Sequence, residues 1–143
     1  MLVKDIMTKS VKTIEPDSTI QEAADTMSKS SVGSLIVVRK GELMGILTER
    51  DILTKVVAKS TAGSKVHVKD IMTKEVVMIE PDTDIEDAAE IMVKKQIKKL
   101  PVVHNNQLIG IVTSMDIVSA QPKMIQQMGQ LLLFPRKKKA VAG

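Results

Sequence analysis

The stretch Lys-Asp-Ile-Met-Thr-Lys at residues 4–9 recurs unchanged at residues 69–74, and the architecture follows from this repetition. The two copies, 4–53 and 69–118, align without a gap at a constant offset of 65 and share 25 of 50 positions. A period of this size marks one supersecondary unit that buries its apolar face against its copy. A unit of about fifty residues is close to the lower limit for an independent core. We therefore expect two repeats that share one core, with a binding site at the seam between them.

Composition narrows the class of protein. The 143 residues contain no cysteine, which excludes disulfides and thiolate metal sites. No apolar run approaches the roughly 18 residues of a membrane span, and the N-terminus lacks the apolar segment of a signal peptide. We therefore expect a soluble, cytoplasmic protein without a membrane partner. His67 and His104 stand alone, without acidic residues at ligand-like spacing, so we expect no metal site.

The formal net charge of +4 is unevenly distributed along the chain. Residues 123–143 contain five basic and no acidic side chains, whereas the other 122 residues contain 16 basic and 17 acidic ones. Such a run is most often a solvated terminus. The alternative is that it contacts a polyanion such as nucleic acid. Phe134 is the only aromatic residue, which argues against base stacking on single-stranded nucleic acid. The basic residues that could contact a nucleic acid are Arg136, Lys137, Lys138 and Lys139.

The first half of each copy predicts a short strand followed by a helix. Residues 11–14 form a β-like run before a proline. Ser18 and Gln21 then predict a capping box at a helix start, and Thr83 and Glu86 predict the equivalent box in the second copy. Apolar residues at helical spacing follow both boxes.

The second half of each copy predicts a β-hairpin and another helix. Two apolar runs flank a turn, and the turn residues Gly41 and Asn106 tolerate the positive φ that a tight hairpin requires. The second helices begin near Thr48 and Thr113, which gives the order β-α-β-β-α. Residues 122–134 predict a further helix with one apolar face, made of Ile125, Met128, Leu131 and Leu132. The predicted segments are 1–60 for the first repeat, 65–122 for the second, and 123–143 for a C-terminal helix and basic tail.

The sequence Gly-Ile-(Leu/Val)-Thr-x-x-Asp, at 45–51 and 110–116, joins the last strand of each copy to the second helix. Thr-x-x-Asp is a capping box, and we expect both threonines to cap their helices. The junction also presents backbone N–H groups and the positive end of a helix dipole to an anion such as phosphate. A hydroxyl and a carboxylate three residues apart could then contact phosphate and ribose. Capping and nucleotide binding are compatible roles, and the residues alone leave both open. No activated nucleophile or catalytic carboxylate pair is visible, so we do not expect an enzyme.

These ordered motifs, each present twice, resemble the cystathionine β-synthase (CBS) domain, and the tandem resembles a CBS pair, or Bateman module, over about residues 1–120. The resemblance implies an α+β fold of two β-α-β-β-α repeats packed with pseudo-twofold symmetry, with two clefts. It implies a stand-alone regulatory protein that senses AMP, ADP, ATP or a related adenosyl ligand and needs no cofactor. The signal would pass to an unidentified protein partner or through a homodimer. The rival interpretation is a nucleic-acid-associated protein that binds through its basic tail, with the pair as a scaffold.

The resemblance also implies the residues of each cleft. Asp51 and Asp116 would hold the ribose hydroxyls, and Thr48 and Thr113 would contact phosphate. Each cleft in the family tends to combine the Thr/Asp motif of one repeat with the first segment of the other. The cleft of Thr113 and Asp116 would therefore add Asp5, Ile6, Met7 and Val32. The cleft of Thr48 and Asp51 would add Asp70, Ile71, Met72 and Ile97.

The copies differ just before the hairpin, where Gly33-Ser34 in the first aligns with Lys98-Lys99 in the second. Related modules often place basic residues there to meet phosphate, so Lys98 and Lys99 are candidate phosphate contacts, with a solvated lysine face as the alternative. The Asp116 cleft would then hold the charged nucleotide, and the Asp51 cleft a less charged ligand or none. A homodimer would form through the second helix of each repeat. The apolar residues that would supply its surface, unless the core buries them, are Ile52, Leu53, Val56, Val57, Ile117 and Val118.

Overall fold

The computed structural model describes residues 1–133, so the basic residues at 136–139 lie outside the described region. Both copies have the predicted β-α-β-β-α order, although the first strand of the second copy is reduced to a single bridge between Ile79 and Val102. A short helix precedes each copy. The elements are α1 (Val3–Ile6), β1 (Thr13–Ile14), α2 (Ile20–Ser30), β2 (Ser34–Arg39), β3 (Glu42–Thr48), α3 (Glu49–Ile52), α4 (Val68–Ile71), α5 (Ile85–Lys95), β4 (Lys99–His104), β5 (Gln107–Thr113), α6 (Ser114–Ala120) and α7 (Ile125–Leu133). Helix α3 continues directly into a π-helical turn, Leu53–Val57, and the two together form the second helical segment of the first copy.

The chain divides into two compact units that do not coincide with the two sequence copies. One unit, called the Asp116 unit, contains Met1–Ser10, Val77–Asn105 and, of the described residues, 109–133. The other, called the Asp51 unit, contains Val11–Val76 and Asn106–Leu108. Each unit therefore takes its first helical turn, α1 or α4, from the opposite copy. We call residues 1–10 and 67–76 the lead segments.

The buried apolar residues form two clusters, one in each unit, where the sequence predicted one shared core. The exchange of the lead segments explains the difference, because each unit already contains apolar residues from both copies. Val3 of the first lead segment is fully buried in the Asp116 unit, and Val68 of the second is fully buried in the Asp51 unit. Each core is therefore completed by a residue of the other copy.

The Asp51 unit is built on a three-stranded sheet in the order β1-β2-β3. Strand β1 runs parallel to β2, and β2 pairs with β3 in an antiparallel hairpin. Both central residues of the hairpin turn, Lys40 and Gly41, have positive φ, as a type I′ turn requires. Asn105 and Asn106 adopt the same conformation in the second hairpin, which confirms the predicted turns.

The Asp116 unit contains the two-stranded sheet β4-β5 with α5, α6 and α7. The predicted C-terminal helix is confirmed as a 3₁₀ turn, Pro122–Met124, followed by α7. Its buried face consists of Met124, Met128 and Leu131, whereas Ile125 is 45% exposed, so the prediction for Ile125 was wrong. Within residues 1–133, no helix is long and apolar enough to cross a membrane.

The capping box predicted for the first helix of copy one is displaced by one residue. Thr19, rather than Ser18, caps α2, and its hydroxyl accepts the N–H of Glu22 at 3.1 Å. Hydrogen bonds from the Thr19 backbone and hydroxyl lower the pKa of the Glu22 carboxyl. The carbonyl of Ser18 instead accepts the N–H of Val68 in the lead segment, at 2.8 Å. This long-range bond holds Ser18 outside the helix.

The same displacement occurs in copy two. Helix α5 begins at Ile85 after Asp84, whose side chain makes no capping hydrogen bond, so the predicted box of Thr83 with Glu86 was wrong. The carbonyl of Thr83 accepts the N–H of Val3 at 2.8 Å. A lead segment therefore sets the start of the first helix in each unit.

The predicted dimer surface is only partly exposed. Val56 and Ile117 are buried in the two cores, at 2% and 0% exposure, so their assignment to that surface was wrong. Ile52 and Val118 are partly buried against the same cores. Leu53 and Val57 remain exposed, at 59% and 61%. The second helix buries one stripe and leaves the opposite face to solvent, as an amphipathic helix does.

Each lead segment joins the last strand of its unit through a pair of backbone hydrogen bonds. Thr8 and Ile111 exchange N–H···O bonds of 2.8 and 2.9 Å, and Thr73 and Ile46 exchange two bonds of 2.9 Å. Two polar groups on each strand that would otherwise need water are satisfied in this way.

A glycine stands beside each of these pairs and permits the close approach. A Cβ at Gly110 would lie 2.7 Å from Met7 Sδ and 3.0 Å from the carbonyl oxygen of Thr8. A Cβ at Gly45 would lie 2.7 Å from the carbonyl oxygen of Thr73. Real Cβ atoms do not approach backbone oxygen so closely, so any side chain at Gly45 would force the lead segment away.

Ion pairs tie each lead segment to the Pro-Asp turn of its unit. Lys4 Nζ lies 2.9 Å from Asp82 Oδ1, and Lys69 Nζ lies 2.8 Å from Asp17 Oδ1. The hydrogen bond and charge of Lys69, with a smaller effect from Arg39, lower the pKa of Asp17. Lys4 lowers the pKa of Asp82 in the same way, and Asp82 raises that of Lys4. These pairs are exposed, so solvent screens them strongly.

We expect Gly45→Ala and Gly110→Ala each to lower the free energy of unfolding by about 1–3 kcal/mol, because the added methyl group overpacks the lead segment. The matched control is Gly129→Ala in α7, where no atom lies within 4 Å of a new Cβ. That substitution should raise the free energy of unfolding by about 0.5–1 kcal/mol through helix propensity. Urea denaturation of the three variants measures these values, and equal effects at the three sites would contradict the close approach.

The lowered pKa values of Asp17 and Asp82 predict a loss of stability in acid. The stabilisation is present above the ordinary aspartate pKa of 3.8 and is lost as the pH falls through the lower folded-state value. The double variant Asp17→Asn/Asp82→Asn should therefore lose less unfolding free energy than the wild type between about pH 6 and pH 3. Urea unfolding at several pH values tests this, with Glu90→Gln as an exposed carboxylate outside the two pairs. Parallel pH profiles for the wild type and the double variant would contradict the prediction.

Candidate functional site

The Thr/Asp motif of the Asp116 unit lies where β5 ends and α6 begins. Thr113 Oγ1 accepts the N–H of Asp116 at 3.1 Å, and Asp116 Oδ2 accepts the N–H of Thr113 at 2.9 Å. The reciprocal bonds confirm the predicted capping box. One carboxylate oxygen of Asp116 is thus used inside the box, while Oδ1 takes no part in it.

The motif of the Asp51 unit has the same local geometry. Thr48 Oγ1 accepts the N–H of Asp51 at 3.0 Å, and Asp51 Oδ2 accepts the N–H of Thr48 at 3.0 Å. The capping box predicted for Thr48 is therefore also confirmed. Asp51 is one of the buried polar residues of the described region, with 9% of its surface exposed.

The residue before the hairpin lies directly against the start of the second helix in both units. The N–H of Ser114 donates to the carbonyl of Lys98 at 2.9 Å, and the N–H of Glu49 donates to the carbonyl of Gly33 at 2.9 Å. This shared bond holds Lys98 beside the Thr113 box and Gly33 beside the Thr48 box.

The charges around this shared bond are opposite in the two units. In the Asp116 unit, Lys98 is exposed and Ser114 is buried. In the Asp51 unit the Glu49 carboxylate covers Gly33, because a Cβ at that glycine would lie 3.1 Å from Glu49 Oε1. An anionic ligand would therefore meet Lys98 beside Thr113. Beside Thr48 it would meet the Glu49 carboxylate, which is followed in the chain by the cationic Arg50.

A second difference concerns the aspartates themselves. Lys55 Nζ lies 3.1 Å from Asp51 Oδ1 and donates a hydrogen bond to the carbonyl of Ile71 at 2.9 Å. With Thr48 on Oδ2, both carboxylate oxygens of Asp51 therefore face a donor from the protein. The residue aligned with Lys55 in the second copy is Ala120, which carries no charge.

The structure brings together part of each predicted residue set. Val32 packs against the core of the Asp51 unit, and Ile97 packs against the core of the Asp116 unit. Their predicted association with the motif of the opposite unit stays a prediction. The candidates in the Asp116 unit are Thr113, Asp116, Lys98, Lys99, Asp5, Ile6, Met7 and Ile97. Those in the Asp51 unit are Thr48, Asp51, Asp70, Ile71, Met72 and Val32.

Glu49 and Lys55 were missed by the sequence analysis, although the aligned copies carried the signal. Glu49 aligns with Ser114 and Lys55 with Ala120, so both positions change charge between the copies.

A groove of about 570 Å³ lies on the helical face of the Asp51 unit. Its lining includes Ala24 and Met27 of α2 and Glu49 and Ile52 of α3. Neither Thr48 nor Asp51 belongs to the lining. The lining also includes Val32 and Gly33, so the groove borders the residues that lie beside the Thr48 box.

The histidines form single pairs with carboxylates. His104 Nδ1 lies 3.2 Å from Glu80 Oε2, and His67 Nδ1 lies 3.8 Å from Asp70 Oδ2. In the part of the chain that the structure describes, no group of three or more histidine, aspartate or glutamate side chains is arranged to hold a metal ion.

Comparison with known proteins agrees with the duplicated motifs. A family model described as "CBS domain" matches the chain twice, at residues 3–58 and 68–123. The "CBS domain-containing protein YhcV" of Bacillus subtilis is 42% identical over 119 residues, which cover 83% of this chain and 84% of that protein. The alignments cover both copies of the motif.

Solved structures with the same fold are also similar to this chain. The CBS-domain containing protein ATU1752 from Agrobacterium tumefaciens is 33% identical, with a TM-score of 0.72 over 84% of this chain and 98% of that one. A CBS-CP12 protein from bloom-forming cyanobacteria, which is hexameric, is 28% identical, with a TM-score of 0.69 over 88% of this chain and 73% of that one.

Proposed function

This chain belongs to the CBS domain family, and we propose that it senses an adenine nucleotide through the Thr113 and Asp116 motif. CBS pairs are regulatory modules that typically bind adenosine ligands, and no catalytic family is indicated by the comparisons. The bound nucleotide changes how the chain associates with a protein partner or with a second copy of itself. A cytoplasmic location remains part of the proposal.

We assign the nucleotide to the Asp116 unit because the charges beside the two motifs differ. Lys98 is held next to Thr113 by the bond from the Ser114 N–H to its carbonyl, so an ammonium group is available within a side-chain length of the motif. A charge-assisted hydrogen bond from lysine to phosphate is roughly twice as strong as a neutral one. At the Asp51 motif, Glu49 would instead repel a phosphate.

The apolar surroundings of the Asp116 motif suit an adenine ring. Ile6 and Met7 of the lead segment are partly buried against the core of this unit. Such side chains offer apolar contact to a purine without an aromatic platform, which this part of the chain lacks. Lys98 and Lys99 follow one another at the strand start, and neighbouring residues of a strand face opposite sides. We assign the phosphate contact to Lys98, because its carbonyl accepts the N–H of Ser114 at the start of α6.

Substitutions at the two motifs should have unequal effects on nucleotide binding. Asp116→Asn keeps an oxygen for the Thr113 N–H but removes the charge, and it should weaken AMP, ADP and ATP binding by about tenfold or more. Lys98→Ala should weaken ATP by about tenfold while adenosine binding changes little. Titration calorimetry measures both effects.

The controls are Asp51→Asn, at the equivalent position of the other unit, and Lys94→Ala, an exposed lysine of α5. Both should bind nucleotide as the wild type does. If Asp51→Asn abolishes binding while Asp116→Asn leaves it intact, the assignment to the Asp116 unit is wrong.

We further propose that the chain forms a homodimer through the exposed face of its second helix in the first copy. Leu53 and Val57 stand four residues apart and therefore share one face of the helical segment. The equivalent segment of the second copy is followed by α7, whose residues Met128 and Leu131 pack into the core beside α6. The residue that corresponds to Leu53 in the second copy is Val118, which is partly buried against the core.

The double variant Leu53→Ser/Val57→Ser should shift the protein from dimer to monomer, because it removes apolar area from the contact. Sedimentation velocity over a range of concentrations measures the association. Ile125→Ser, on an apolar residue of α7 that is also exposed, is the matched control and should not change the association. A dimer that persists in the double variant would place the contact elsewhere.

A further inference from the structure

The ammonium group of Lys55 occupies a defined position inside the Asp51 unit. It pairs with Asp51 Oδ1 at 3.1 Å and donates to the Ile71 carbonyl at 2.9 Å, so one cation links α3 to the lead segment. The Asp51 side chain is 12% exposed, compared with 46% for that of Lys55. An ion pair with one partner so shielded from water is screened less than a surface pair.

The second copy has no cation at this position, and its backbone differs there. Lys55 lies in the π-helical turn Leu53–Val57, whereas the corresponding residue of the second copy, Ala120, ends the α-helix α6. Ala120 stands four residues after Asp116, as Lys55 stands four residues after Asp51. Ile6 is the counterpart of Ile71, and it also belongs to a lead segment packed against the core of its unit. The two units therefore differ at this point in the charge of one side chain and in the form of the helix that carries it.

We propose that Lys55 is a specificity-determining residue that closes the Asp51 motif to ligands, so that the chain binds one nucleotide at the Asp116 motif. The inference rests on the proposed function, because it assumes that the aspartate carboxylate accepts hydroxyl groups of the ligand. A carboxylate accepts such hydroxyls through its oxygens. At Asp51, Thr48 occupies Oδ2 and Lys55 occupies Oδ1, so a ligand hydroxyl would have to displace a charged donor.

The chemistry of the second ligand follows from the neighbouring Glu49. Removal of the Lys55 charge frees Oδ1 of Asp51, but the Glu49 carboxylate over Gly33 remains and disfavours phosphate. The site that opens should therefore take an uncharged nucleoside such as adenosine more readily than ATP. The two units would then differ in ligand class as well as in occupancy.

The first experiment removes the lysine from the Asp51 unit. Lys55→Met keeps most of the aliphatic stem and removes the charge. Titration calorimetry with adenosine should show twice the wild-type stoichiometry, and the added binding should vanish in the double variant Lys55→Met/Asp51→Asn. Lys59→Met, on an exposed lysine that follows the same helical segment, is the control and should keep the wild-type stoichiometry.

The second experiment adds a lysine to the Asp116 unit and does not depend on the stability of the first variant. Ala120→Lys places an ammonium group four residues after Asp116, on the same helix face. It should weaken nucleotide binding by about tenfold or more, whereas Ala120→Met, of similar length and without charge, should retain it. Retention of wild-type affinity in Ala120→Lys would overturn the proposed role of the lysine.

The outcomes separate the two proposals. A wild-type protein that binds adenine nucleotides but keeps its stoichiometry in Lys55→Met contradicts the role of Lys55 and leaves the proposed function intact. A wild-type affinity that is unaffected by Asp116→Asn contradicts the proposed function itself. A change in melting temperature of Lys55→Met without any change in stoichiometry would show that Lys55 only stabilises the fold, which also contradicts the proposal.

Discussion

The backbone hydrogen bonds between each lead segment and the last strand of the opposite copy are the constraint on which both units depend. Thr8 pairs with Ile111, and Thr73 pairs with Ile46, where a glycine leaves room for the approach. The exchange inserts Val3 and Val68 into the two cores and fixes where the first helices begin. Since neither copy completes its core from its own residues, the duplication is a structural necessity for a unit of this size.

This exchange also explains which local features the sequence could predict. The boxes at Thr48 and Thr113 follow from residues three positions apart, and both form as predicted. The first-helix boxes fail because a partner far along the chain holds Ser18 and Thr83 outside their helices. Capping patterns depend on neighbouring residues. A hydrogen bond from a distant residue to the candidate cap can override such a pattern, and the neighbouring sequence does not reveal it.

The sequence also singled out some of the residues that differ between the two candidate sites, but not all of them. The substitution of Gly33 by Lys98 between the copies stood out because a glycine and a lysine differ in both size and charge. Lys55 did not, because a lysine four residues after an aspartate is an ordinary stabilising pair on a helix surface. Two features distinguish it from such a pair. The second copy has Ala120 at this position, and Lys55 donates a hydrogen bond to Ile71 that depends on the position of the lead segment. The exposed face at residues 53–57 was more difficult to predict from the sequence, because the apolar residue Val56 of the same segment is buried.

A ligand can act as a signal only if it binds two states of the protein with different affinity. In the Asp116 unit, the element that begins at the proposed ligand contact is α6, which is seven residues long and capped by Thr113. The 3₁₀ turn Pro122–Met124 follows it closely, and then α7, whose Met128 lies in the same core as Ile117 of α6. Because close-packed side chains move together, a ligand that shifts α6 would also shift α7. In the Asp51 unit, by contrast, the cation of Lys55 fastens the corresponding helix to its lead segment. The two units therefore differ in how firmly the second helix is held as well as in charge. This difference favours the Asp116 unit as the part of the chain that changes when a ligand binds.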